Sequence, residues 1–566
     1  MISPVESDQP VDDRRWYDGI TRYQWTVLII ASLGWVFDVF EGQIFVASMN
    51  EAMKSLVDEG APVATYNNIA LGAFLFGGAV GGVGFGMLSD RIGRKKTMSL
   101  TILFYSAFTC LSALSMAWWH LAAFRLLVAI GVGGEWAVAS TLVAEEFPQR
   151  ARARVSGIFH ASSVFGTYLA VAAGVWIIGN PMFKSEEHPE LSWRLGFVVG
   201  ALPALLILWI RRSLKEPESW ERARAEASAG RSQSMGRISD LFRGDLLRPT
   251  LVGVSLAAVG LATFWGAHIF GRNLMRRDAT PYFVPVPADQ ARVTVTAEER
   301  REWMQPVFDT AREDALEELQ AQEQPVPDAA QQETLFDIVR QSYLASSWQA
   351  ARAFDVEPDP QSGTNRVLAK FPPNPEEPSS RTTIVVADDL TEGGASFVRE
   401  SMHAVRLRID QKLKNWEMFG MLLATTGGGL GLLAFGPFCE RVGRRPAFLV
   451  FHLGGLIVAV LTFQFAAGLG LLTIVLPIFG FFTLGMHAGY AIYFPELYPT
   501  RLRGTGGGFC FNAARMIVPP ILILSGWVQD LDLPKEDAWS LLSLLYLVGA
   551  VVLVFAPETR GRELPE

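Results

Sequence analysis

Long apolar stretches broken by short polar connections fill most of this 566-residue chain. They run near 23–49, 68–88, 97–118, 121–143, 156–178 and 193–210, and again near 251–270, 418–438, 447–466, 469–494, 507–528 and 539–555. Several exceed the ~18 residues a helix needs to cross a bilayer's hydrocarbon core, so the pattern predicts twelve spans. The polar segment 272–413 interrupts it. There, 297–322 reads as a charged helix with Trp303, Val307, Ala311 and Leu316 on one face, and 331–354 as a second with Leu335, Ile338, Val339 and Tyr343 apolar. Strands are predicted at 367–371 and 382–387 around the Pro-rich 372–378, and a helix over 391–414 leads into span 8. The expected fold class is an all-α polytopic membrane protein of twelve helices in two six-helix bundles, with a small α+β domain inserted between spans 7 and 8.

An eleven-residue signature occurs twice, GMLSDRIGRKK from Gly86 and GPFCERVGRRP from Gly436, at an offset of 350. A second pair follows almost in register: Glu145, Pro148, Arg150, Arg152 and Gly157 match Glu496, Pro499, Arg501, Arg503 and Gly508. PESW from Pro217 and PETRG from Pro557 are a looser third echo. Two ordered matches at nearly one offset mark a duplicated chain, and parallel repeats of this kind occur in transporters.

Bases fix the orientation. RIGRKK, RARAR, RRSLK, ERVGRR and TRLR follow spans 2, 4, 6, 8 and 10, whereas acids such as Asp58, Glu59, Glu186, Glu187, Asp530 and Asp532 follow spans 1, 5 and 11. The basic loops and both termini are therefore expected in the cytoplasm, with 272–413 on the extracytoplasmic side of the cell (inner) membrane. The segment 272–412 holds 16 Lys/Arg and 24 Asp/Glu, which accounts for the whole chain's net charge of −8. An outer partner for it is one reading; solubility is the blander one. The polar 1–22 followed by a long apolar run reads as an uncleaved insertion signal. Cys110, Cys439 and Cys510 fall within or at the ends of spans and imply no disulfide framework. GGVGFG and GVGG lie inside apolar helices, where small residues permit close packing. No nucleotide or metal motif, cofactor site or nucleic-acid patch is expected, and no enzyme.

On the loop signatures, RLLVAIGVGGEW from Arg125 to Trp136, and the PESW and PETRG ends, everything outside the insert resembles the major facilitator superfamily. The signatures are similar to its sugar porters, and the GGEW ending to its organic-acid (sialate, carboxylate):proton symporters. The resemblance implies alternating access by two rocking bundles around a central site. It does not account for the insert.

Charges within spans are costly and need a reason. At ~1.5 Å per residue, Asp38 lies in depth between Glu135 and Arg125, and Glu41 nearly level with Arg125. An acid whose Arg partner can be withdrawn changes its proton affinity between conformations. Asp38 is thus the expected proton carrier, with Arg125 its modulator and Glu135 the second carrier; Glu41 is a further proton-coupling candidate, the alternative being that it lies near enough to the outer surface to be solvated. Arg515 in span 11 suggests an anionic, carboxylate-bearing substrate. Gln43, Trp136, Trp265, His487 and Asn512 are further substrate-site candidates, whereas His160, His268 and His452 read as packing residues. In the repeated loops Asp90, Arg91, Arg94, Glu440, Arg441 and Arg444, with Glu145 and Glu496, form a latch between the bundles: Asp90 can cap a helix of the opposite bundle. Gly86, Gly93, Gly436 and Gly443 fit close helix approach and tight turns.

These readings divide the chain into a tail (1–22), the first bundle (23–212), a central loop (213–247), span 7 (248–271), the insert (272–413), spans 8–12 (414–557) and a second tail (558–566). The expected function is proton-coupled symport of a small organic acid. The alternatives are a sugar:proton symporter, or a transporter-like receptor using the outer domain.

Overall fold

A computed structural model describes residues 15–566 apart from 59–62, 179–189, 230–234, 288–289, 347, 350, 352, 361, 372–382 and 530–534. The chain divides into two compact units. The first comprises Met1–His268, Ala424–Gln464 and Pro477–Glu566; the second, Ile269–Leu423 and Phe465–Leu476.

The helices are α1 (Arg22–Leu56), α2 (Val63–Ile92), α3 (Arg94–Ser112), α4 (Trp118–Glu146), α5 (Gln149–Ala161), α6 (Ser163–Ala173), α7 (Leu191–Gly200), α8 (Leu206–Ser213), α9 (Glu218–Ser228), α10 (Leu247–Phe283), α11 (Ala297–Ala321), α12 (Ala329–Ala345), α13 (Glu392–Val442), α14 (Arg444–Phe465), α15 (Leu469–Gly485), α16 (His487–Leu497), α17 (Arg503–Gln529), α18 (Lys535–Ser543) and α19 (Leu545–Phe555). Among the described residues, eight helical segments are long and apolar enough to cross a membrane, so the chain is a multi-pass membrane protein. α3, expected as a span over 97–118, is not among them: it ends at Ser112 and carries Arg94, Lys95 and Lys96 in its first turn.

Helix ends in the first unit follow local chemistry. Thr21 opens α1 with a capping box, its hydroxyl accepting from Gln24 N while the Gln24 amide accepts from Thr21 N. α2 and α13 both stop at a glycine with positive φ, Gly93 at 106° and Gly443 at 99°, a region that side chains other than glycine resist. The next helix starts one residue later, so each repeated loop is a sharp corner. Gly86 and Gly436 allow close helix approach instead, since a Cβ on either would sit 2.6 Å from a carbonyl oxygen of the opposing helix, Gly504 and Ala153 respectively.

The second unit contains α11, α12 and an antiparallel sheet of β1 (Ala353–Pro358), β2 (Asn365–Lys370) and β3 (Thr383–Leu390) in that order. The helix expected over 331–354 ends at Ala345, and its last residues belong to β1 instead, with Phe354 opposite Ala369 and Val356 opposite Val367. Alternation of Phe354 and Val356 with Asp355 and Glu357 suits a strand with one buried face. The expected strands correspond to β2 and β3, shifted by one to three residues at their ends; the Pro-rich 372–378 lies outside the described residues. Phe308, Phe336, Val339, Tyr343, Val367 and Phe397 belong to this unit's core.

Candidate functional site

The duplicated loops build the same bonds twice. Arg94 grips Glu145 with two prongs, Nε to Oε2 and Nη2 to Oε1, both at 2.9 Å. Arg444 grips Glu496 the same way at 3.1 and 2.7 Å. The remaining nitrogen of each donates to the last turn of the preceding helix, Ser89 O at 2.8 Å and Cys439 O at 3.3 Å. Arg152 and Arg503 are also equivalent, donating to Ala144 O and Pro495 O. A carboxylate caps each following helix: Glu216 accepts from the backbone N–H of Arg94 and Lys95, and Glu558 from those of Arg444 and Arg445. The PESW/PETRG echo aligns Glu218 with Glu558, yet the first cap is Glu216, on the other side of Pro217. Glu558 is partly desolvated, which raises its proton affinity; N–H donors from Arg444, Arg560, Arg445 and Thr559 outweigh this and hold it below the ordinary carboxylate range.

Between the two repeats the symmetry breaks. Asp90 accepts from Gly504 N (3.1 Å), Thr505 N (2.8 Å) and Thr505 Oγ1 (2.6 Å) at the start of α17, and pairs with Arg94 at 3.0 Å. Its counterpart Glu440 meets a side chain, Arg154, at 2.8 Å. Arg503 adds a further bridge to Glu145 at 2.7 Å. Arg91 and Arg441 are exposed and stand outside this lattice; Arg91 donates to Gly236 O at 3.3 Å. Sequence reasoning missed Arg503, Arg154 and Thr505, although the match of Arg152 with Arg503 had marked one of them.

Deeper in the first unit, Arg125 donates to Glu41 (2.5 Å) and Ser112 Oγ (2.6 Å), while Thr109 donates to Glu41 (2.9 Å); Glu41 and Arg125 are fully buried. The Phe45 and Phe197 rings flank the guanidinium. Two readings are corrected here: the alternative of a solvated Glu41, which is enclosed, and the pairing of Arg125 with Asp38, since its partner is Glu41. Three residues along α1 put Glu41 level with the guanidinium and leave Asp38 about a turn away.

Asp38 and Glu135 are also buried. Thr101 Oγ1 donates to Glu135 Oε2 at 2.6 Å; Glu135 Oε1 and both Asp38 oxygens have no hydrogen-bond partner among the described residues. Gly34 of α1 admits the Glu135 side chain, since a Cβ there would sit 2.6 Å from Oε1. The Tyr105 hydroxyl approaches Asp38 without a hydrogen bond of normal geometry. Glu135, Glu41 and Arg515 act on Asp38 electrostatically. Arg515 comes from α17, lies over the Phe511 ring and faces Gly78 of α2.

Beside these groups Trp136 stacks on Phe511, ring centroids 4.0 Å apart, and its indole N–H donates to His160 Nδ1 at 3.3 Å. His160 and His487 rings are 6.5 Å apart, and His487 packs on Phe264 and Tyr490. His160, read as packing, thus adjoins two candidate site residues. Asn512 is buried and donates to Gly508 O at 2.9 Å. Gln43 is half-buried on α1. The side chains of Trp265 and His268 lie outside the described residues. No His/Cys/Asp/Glu group able to hold a metal occurs among the described residues.

Residues 31–285 match the family model of the Major Facilitator Superfamily. A putative metabolite transport protein of Haemophilus influenzae is 32% identical over 35% of this chain and 46% of its own. A probable 4-methylmuconolactone transporter of Cupriavidus pinatubonensis is 31% identical over 37% and 46%, and the sialic acid transporter NanX of Escherichia coli 33% over 36% and 47%. The chain therefore spans about half the length of the curated relatives it matches. Its fold is similar to that of the proton:xylose symporter XylE, with a TM-score of 0.56 at 13% identity over 96% of this chain and 98% of that one. The family match is thus confined to residues 31–285, and the likeness to XylE shows a polytopic helical fold.

Proposed function

We propose that the protein is a secondary active transporter, twelve helices in two bundles working by alternating access, that couples proton movement to symport of a small organic acid. The observation carrying this reading is the buried pair Asp38 and Glu135, whose three unbonded oxygens share a region with Arg515 of the other repeat. A buried carboxylate without donors is costly when charged. Protonation relieves that cost, and an approaching cation lowers it; Asp38 can therefore exchange a proton as Arg515 draws near or turns to a substrate. Arg515 also offers the two-pronged geometry that recognises a carboxylate. Among the relatives, transport of sialic acid, 4-methylmuconolactone, niacin, muconate and gallate points to organic acids. Trp136, Trp265, His487, Asn512 and Gln43 complete the proposed substrate site. Asp90, Arg94, Glu145, Arg444, Glu496 and Glu440 close it on the latch face.

The test is substrate-driven proton uptake in proteoliposomes, screening monocarboxylates, sugar acids and neutral sugars, with Asp38→Asn as the paired variant. Uptake triggered by an acid and lost in the variant supports symport of a carboxylate. A response to neutral sugars alone removes Arg515 from the substrate role, and acid transport without proton movement removes Asp38 from coupling.

A further inference from the structure

On the latch face a cavity of about 440 Å³ is lined by Arg91, Arg224, Ala227, Ser228, Met235 and Arg237. That volume is in the range of about 300–1,000 Å³ typical of small-ligand sites. Among the described residues, three guanidinium groups contribute to its wall and no carboxylate does, and none of the three pairs with a described acid within salt-bridge distance. The arginines come from three places: Arg91 from the end of α2, Arg224 from α9 and Arg237 from the segment after it. Each lies close to a structural contact other than an ion pair. Arg91 donates to Gly236 O, beside Arg237; Arg224 lies over the Trp220 ring at 5.1 Å, and Trp220 donates to Asp90 O at 2.7 Å. Gly236 in turn donates to Arg501 O at 2.9 Å.

We propose that this cavity binds a phosphate-bearing anion, either free phosphate or a phospholipid headgroup. Converging guanidiniums without counter-charges repel one another, and a phosphate's oxygens match their forked donors, with the Ser228 hydroxyl as an added donor. Occupancy draws Arg237 toward Arg91 and so tightens the Gly236 contact to both α2 and Arg501. The anion therefore favours the latched arrangement of the two repeats, by a site separate from Asp38 and Arg515.

The test uses the purified full chain and reads binding, independent of any transported substrate. Radiolabelled orthophosphate is titrated by equilibrium dialysis in detergent at constant ionic strength, against the double variant Arg224→Ala/Arg237→Ala. Both positions are exposed, and matching thermal unfolding verifies the variant's fold. A second arm places both proteins in phosphatidylcholine nanodiscs with and without phosphatidylglycerol and measures retained anionic lipid after exchange. Saturable orthophosphate binding weakened about tenfold or more by the double variant, as expected for loss of charge-assisted bonds, supports a free-phosphate site. Retention of phosphatidylglycerol by the native protein alone, without orthophosphate binding, supports the headgroup. Equal binding by both proteins in both arms, or none, overturns the proposal.

Discussion

Arg503 and Arg94, which belong to different repeats, bond to the same oxygen, Glu145 Oε1, at 2.7 and 2.9 Å. One carboxylate thus serves as an internal strut of the first repeat and as a tie to the second. Replacing Arg94 leaves Glu145 with one partner and removes the contacts to Asp90 and Ser89, whereas replacing Arg503 leaves the two-pronged pair intact. Arg94→Ala is expected to lower stability by about 3–5 kcal/mol, the scale for breaking a buried pair, and Arg503→Ala by clearly less. Thermal unfolding in detergent ranks them; an equal or reversed order contradicts the strut role.

Glu41 and Asp38 lie three residues apart yet should respond oppositely. Glu41→Gln leaves the Arg125 guanidinium buried without a counter-charge and should cost about 3–5 kcal/mol. Asp38→Asn removes a carboxylate that has no hydrogen-bond partner among the described residues, so its folding should be close to native while proton movement is lost. A strongly destabilised Asp38→Asn protein would mean that Asp38 is structural.

Arg515→Ala should raise the KM for a carboxylate substrate by about tenfold or more while thermal stability changes little. Arg515→Lys keeps the charge but not the fork, and should recover only part of the affinity. Parallel loss of affinity for neutral and acidic solutes would argue against a carboxylate contact.

Glu558 sets a pH window. Its proton affinity is lower in the fold than the ordinary glutamate value of 4.5, so its contribution is fully present above that value and disappears as pH falls through the lower folded one. The gap in Tm between the native protein and Glu558→Gln should therefore be constant near neutrality and shrink below pH ~4.5. A gap that widens on acidification would reverse the sign.

Eight of the twelve expected spans and the repeat were legible because both rest on local rules: a bilayer demands apolar length, and a corner between helices demands a glycine with positive φ. Depth counting also put Glu41 level with Arg125. The alternative of solvent around Glu41 failed because Thr109 and Arg125, both from other helices, bond its carboxylate in the interior. Glu216 was hidden differently: matching Pro-Glu dipeptides drew the alignment onto Glu218, although a helix start needs a nearby acid and not a fixed index. β1 was masked by the apolar run of the preceding helix.

Under the alternating access proposed above, unequal ties at the latch face would set the order in which it opens. Asp90 is held by backbone donors and a buried hydroxyl, which dissolved ions reach poorly, whereas the Arg154–Glu440 bridge is 27% and 19% exposed and screened by salt. Rising salt should loosen the Glu440 edge first and leave the Asp90 edge as the pivot, so that the halves part like a book rather than a drawer. Spin-label distances across the two edges would register this as a salt-dependent widening on one side only.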